Sequence, residues 1–145
     1  MSSRERPESK TVEANGIRIH YLDWGGDGQP VVCLHGLTGN CHFWDGLARA
    51  LPTGYRLYAL DLRGHGDTDK PESGYRFHDF AADLEGFLQA LHLERPVVVG
   101  HSLGGRIAIY HLAHFPTAPE KLVVVDSGIG MSIPSGEGRQ RQGVP

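Results

Sequence analysis

Residues 97–105, Val-Val-Val-Gly-His-Ser-Leu-Gly-Gly, constrain this chain more than any other stretch. Three consecutive valines read as a strand buried on both faces. From Arg106 to Phe115 the apolar residues recur at helical spacing. The chain therefore passes from strand to helix through a sharp turn at Ser102. Gly100 and Gly104 stand two residues either side, where a Cβ would obstruct close approach of strand and helix. The serine is left exposed above the strand with a helix N-terminus behind it. That end offers unpaired N–H groups and a positive dipole, which suit a developing negative charge. A glycine-rich turn in which Ser102 merely caps the helix is the bland alternative. The strand before and the helix after favour a nucleophile turn of the Gly-x-Ser-x-Gly kind.

The 145 residues suit one domain with a real core. A net charge of −3 gives no electrostatic case for nucleic acid or an anionic membrane. No apolar run approaches membrane-spanning length, and charged Met1–Lys10 lacks the apolar core of a signal peptide. Cys33 and Cys41 form no CxxC pair, so two thiols in a reducing cytoplasm are expected rather than a disulfide.

Read in order, residues 1–10 are polar and expected to be flexible. Thr11–Glu13 and Ile17–Leu22 alternate apolar and polar about Asn15-Gly16, which predicts a hairpin with a type I′ turn. Pro30–Leu34 and Arg56–Leu60 read as short apolar strands. Between them Phe43, Trp44, Leu47, Ala48 and Leu51 mark a helix with Asn40 as cap and Pro52 as stop. Residues 61–71 are too polar and glycine-rich for regular structure. Phe77, Phe80, Ala81, Leu84, Phe87, Leu88 and Leu91 lie on one face of a second helix. Leu122–Val125 is a last buried strand. The alternation predicts a mostly parallel, doubly wound α/β sheet with helices on both faces. His35, Asp61, Ser102 and Asp126 fall at the carboxyl ends of its strands, where such sheets bind ligands. Residues 127–145, rich in Gly, Ser, Pro, Gln and Arg, read as loop or disorder.

From about Val12 to Asp126 the chain resembles the α/β-hydrolase superfamily. The resemblance rests on the His35-Gly36 turn, the Asp61-x-Arg63-Gly64-His65-Gly66 loop, the Gly100–Gly105 elbow and the Val123–Asp126 strand end, in the right order. It implies an α/β-hydrolase-like fold seen in part, about six of eight strands, with 11–126 its N-terminal portion and 127–145 a tail or the start of a lid. It also implies Ser102 as nucleophile. The backbone N–H groups of Leu37 and Leu103 would form the oxyanion hole. Relatives that open epoxides or remove halide carry aspartate at the nucleophile position. The serine therefore resembles the ester, lactone and C–C bond hydrolases and the cofactor-free haloperoxidases. No cofactor and no metal is implied, and the partner is a small acyl substrate.

Other histidines receive modest roles. His101 is expected to pack away from the face of the serine, and His35 to be structural. His65 is expected to shape the pocket rim, with Asp61 and Arg63 as its ion-pair framework. His111 and His114, three apart on a helix, are expected at the surface and without a metal. Phe43 and Trp44 are expected in the core.

The triad is incomplete. After Ser102 the sequence holds only His111 and His114, roughly 14–18 Å along the helix at 1.5 Å per residue, beyond reach as base. Asp126 is a candidate acid. Three readings follow: a truncated serine hydrolase, a non-catalytic small-molecule binding module on the same fold, and an enzyme whose missing half comes from another chain. The final strand, lacking a partner, is expected to offer a self-association edge.

Overall fold

Asn15 and Gly16 both take positive φ, 53° and 77°, as a type I′ turn requires. They close a hairpin of β1 (Glu8–Ala14) and β2 (Ile17–Asp23). The computed structural model describes residues 6–126. The tail expected over 127–145 lies outside the described residues.

Strand β1 starts earlier than the alternation suggests. Glu8, Ser9 and Lys10, within the stretch expected to be flexible, pair with Asp23, Leu22 and Tyr21. The cause is ionic rather than apolar. Lys10 Nζ lies 2.9 Å from Asp23 Oδ2, and Arg56 Nη2 binds the same oxygen at 2.6 Å. Apolar periodicity is blind to such an attachment.

Four parallel strands follow: β3 (Gln29–Leu34), β4 (Tyr55–Leu60), β5 (Val97–His101) and β6 (Lys121–Val125). The sheet order is β1-β2-β4-β3-β5-β6, with β2 antiparallel to both β1 and β4. These six strands form a mostly parallel, doubly wound sheet, in keeping with the six of eight strands that the resemblance implies.

Successive residues of the central strands face opposite layers. Val32, Leu34, Leu60 and Val98 pack with Phe80, Leu84, Phe87 and Leu88 of α2 (Phe77–Ala90) and Ile107 and Ala108 of α3 (Leu103–His114). Val31, Cys33, Leu57, Ala59 and Val99 pack with Trp24, Cys41, Trp44 and Ala48 on the other face. The helix expected over 40–51 is a 3₁₀ turn, Cys41–Trp44, followed by short α1 (Asp45–Ala50). Asn40 caps it, its Oδ1 accepting from His42 N–H at 2.8 Å.

Two polar ties brace the layer of α2 and α3. Arg63 donates from Nε and Nη2 to the two oxygens of Asp83, at 2.7 and 2.8 Å, and Asn15 adds a third bond at 2.8 Å. His111 on α3 lies 2.7 Å from Glu85 on α2, and Thr117 binds the other Glu85 oxygen. Among the described residues, no helix is long and apolar enough to cross a membrane.

Candidate active site

Ser102 joins β5 to α3 with φ 56° and ψ −117°, a conformation side chains rarely adopt. The elbow is locked by backbone bonds. Ser102 N–H donates to Val125 C=O at 3.2 Å, and its own carbonyl accepts from Gly105 and Arg106. A Cβ on Gly100 would come within 2.6 Å of Gly105 Cα, and one on Gly104 within 2.7 Å of the His35 carbonyl. Both glycines are thus steric requirements, and the surrounding backbone holds the serine in a strained conformation.

The turn after β3 packs directly on the elbow. A Cβ on Gly36 would lie 3.2 Å from Ser102 Cβ and 3.0 Å from His101 Nδ1. Leu37 follows, two-thirds exposed. Leu103 opens α3, so its N–H has no acceptor within the helix. The turn that carries Leu37 and the first residue of α3, Leu103, therefore both adjoin the serine.

The peptide that carries the Leu37 N–H is itself fixed. Its carbonyl, that of Gly36, lies 2.6 Å from His35 Nδ1 and accepts from Gly39 N–H at 3.0 Å. His35 Nε2 accepts from Leu62 N–H at 3.0 Å. That leaves the ring proton on Nδ1, to donate to Gly36. Burial pushes His35 below its ordinary pKa and favours this neutral form, although the Gly36 bond acts in the opposite sense. His35 is structural, as the sequence suggested.

His65 ties the glycine-rich loop to the same turn. Its Nε2 lies 2.7 Å from the Leu37 carbonyl and its Nδ1 2.9 Å from that of Arg63. The ion-pair framework expected for it is absent, because Arg63 is committed to Asp83 and Asp61 to His20. Asp61 Oδ1 accepts from Cys41 N–H at 2.7 Å, and Oδ2 from Asp67 N–H at 2.9 Å and the His20 ring at 2.8 Å. Burial alone would raise the Asp61 pKa, but these bonds outweigh it and hold the carboxyl below its ordinary value. Gly66 completes the cradle, since any Cβ there would strike the carboxylate. His20 is buried where the alternation of β2 reads only as polar, so nothing in the sequence signalled this partner.

Two other expectations are corrected. Phe43 is half exposed and stacks on the His101 ring with centroids 4.4 Å apart, so it lines the surface beside the elbow. Trp44 alone of that pair is in the core. His111 is buried rather than at the surface, held by Glu85, while His114 is exposed and binds the Tyr110 carbonyl.

Asp126 follows Val125, the residue whose carbonyl binds Ser102 N–H, and takes φ 48° at an exposed position. His20, Cys41 and Asp61 bring possible metal-ligand atoms within 4.8 Å of one another. Burial drives the Cys41 thiol strongly toward its protonated form, and the Asp61 oxygens already face three N–H groups. The cluster is therefore filled by hydrogen bonds.

Known proteins share this fold. Residues 29–144 match the sequence profile of the alpha/beta hydrolase fold family. The chain is 37% identical to N-formylmaleamate deformylase of Pseudomonas putida, over 89% of this chain and 47% of that protein. It is 39% identical to a non-heme chloroperoxidase of Streptomyces lividans, over 79% of this chain and 42% of that protein. An epoxide hydrolase of Vigna radiata superposes with a TM-score of 0.75 at 31% identity, over 83% of this chain and 40% of that one. The chain thus spans less than half the length of these relatives. Elbow, turn and glycine-rich loop share one sheet end, and the profile matches most of the sequence: the chain belongs to the alpha/beta hydrolase fold family.

Proposed function

We propose that the full-length protein is a serine hydrolase, acting on a carboxylic ester, lactone or similar acyl substrate through an acyl-enzyme. The observation that carries this reading is the strained Ser102, backed by the α3 N-terminus and flanked by the Gly36-Leu37 turn. Ser102 Oγ attacks the carbonyl, and the oxyanion is met by the N–H groups of Leu37 and Leu103. Loss of one such donor costs roughly 10²–10³ in rate. The deformylase relative, whose name denotes removal of an acyl group, supports the acyl reading over epoxide opening. Two buried free thiols fit a reducing cytoplasm.

We infer that the base lies outside residues 6–126: His35 has both ring nitrogens occupied, and His111, on the helix that leaves the elbow, is paired to Glu85. That same observation favours one second reading, a binding module that keeps the cleft without turnover. A fluorophosphonate probe decides between them. In the full-length protein it should label Ser102, with the adduct mapped by mass spectrometry and lost in Ser102→Ala. An unlabelled Ser102 in a folded full-length protein favours the binding module.

A further inference from the structure

A second serine, histidine and carboxylate stand in one hydrogen-bonded line away from the elbow. Ser9 on β1 places Oγ 2.6 Å from Nε2 of His20 on β2. The other ring nitrogen, Nδ1, lies 2.8 Å from Asp61 Oδ2. The hairpin register explains the meeting. Thr11 pairs with His20 and Ser9 with Leu22, so Ser9 is the diagonal neighbour of His20 on one face.

Burial runs in the direction a nucleophile needs. Asp61 is 2% and His20 6% exposed, whereas Ser9 lies at the surface. Asp61, held ionised by the Cys41 and Asp67 N–H groups, can only accept from the ring. The partners therefore assign the neutral ring's proton to Nδ1 and turn the Nε2 lone pair toward the Ser9 hydroxyl. The backbone of His20 is fixed as well. Its N–H donates to Thr68 Oγ1 at 2.8 Å, and its carbonyl accepts from Asp61 N–H at 3.0 Å.

We propose that Ser9 is a second nucleophilic serine, with His20 as its general base and Asp61 orienting the ring, that takes small activated acyl or phosphonyl donors on the open face of the hairpin. This site is independent of Ser102. With a fluorophosphonate, the Ser9 Oγ–P bond forms and the P–F bond breaks. The hydroxyl proton passes to His20 Nε2, and fluoride leaves. A base so placed contributes roughly 10²–10⁴ in rate. Ser9 sits within a paired edge strand, with β2, β4 and β3 between it and the elbow strand. It thus lacks the helix-terminal N–H groups that serve Ser102, and a stable adduct rather than rapid turnover is the product.

The test treats the full-length protein with diisopropyl fluorophosphate and maps adducts by peptide mass spectrometry over time. Mapping reports Ser9 and Ser102 separately, so failure at one says nothing of the other. Ser73, also exposed, is the internal reference. Ser9 should be modified on the order of 10²-fold faster than Ser73. His20→Gln should bring Ser9 down to the Ser73 rate. Asp61→Asn should lower the limiting rate at saturating probe without changing the half-saturating probe concentration. Equal rates at Ser9 and Ser73 with His20 intact would overturn the proposal, whatever the variants do, by showing that the hydroxyl only ties β1 to β2.

Discussion

Asp23 shows one side chain carrying an element that apolar patterning misses. Its carboxylate takes Arg56 at 2.6 and 3.1 Å, Lys10 at 2.9 Å and the Gly25 N–H at 2.9 Å. Burial alone would raise its pKa, but these partners lower it from 3.8 to about 2. The sign follows from linkage. Above pH 3.8 the group is ionised in both states, and its partners stabilise the fold. Between 3.8 and about 2 the unfolded chain binds the proton first, so this stabilisation drains away as pH falls. Asp23→Asn should therefore lower the urea midpoint at pH 6, and the gap to the parent protein should close by pH 2. A gap that persists unchanged at pH 2 would show that the loss is not ionic.

At the scale of elements, the elbow brings β5 and α3 so close that no Cβ fits at Gly100 or Gly104. Gly100→Val tests it, because the new side chain meets backbone atoms of Gly104 and Gly105 that cannot swing aside. Overpacking costs about 1–3 kcal/mol in yielding cores, and this contact should reach at least the upper end. Thermal melting of the full-length variant measures it, and an unchanged midpoint would contradict the geometry. Most elements were legible in the sequence for physical reasons. The valine run of β5 marks a strand covered on both faces, whereas that of β6, expected to be buried, leaves Val123 and Val125 exposed at the sheet edge; Asn15-Gly16 announces its turn through two positive φ angles, and Asn40 caps as its side chain dictates. The pairings that build the site were less so. His20 meets Asp61 and Arg63 meets Asp83 through folding back of the chain, and local periodicity carries no record of it. Phe43 read as core because helical spacing cannot say which face a short 3₁₀ turn leaves open.

For the molecule as a whole, the sheet has two unlike edges. Strand β1 is polar and charged, which discourages pairing with a second chain. Strand β6 ends the sheet on the other side among the described residues, and its Val123 and Val125 are 43% and 39% exposed. The isolated 145-residue chain should self-associate through this edge. Size-exclusion chromatography with light scattering should show oligomers, and Val123→Lys should shift them to monomer. A monodisperse parent chain would show that the edge is covered.

The sheet order also has a consequence for how the chain is made. Strand β3 lies between β4 and β5, yet the ribosome delivers β4 and α2 before β5. Emerging chains fold in the order they appear. Until β5 arrives, one flank of β3 is bare, and the hairpin and β4 hold an open apolar sheet against α2. The strand that ends at Ser102 is thus the one that closes this gap, so the elbow and the long-range closure step of folding coincide. A nascent chain stalled before Val97 would be a client for chaperones, and one carried past β6 would already hold Ser102 in its elbow.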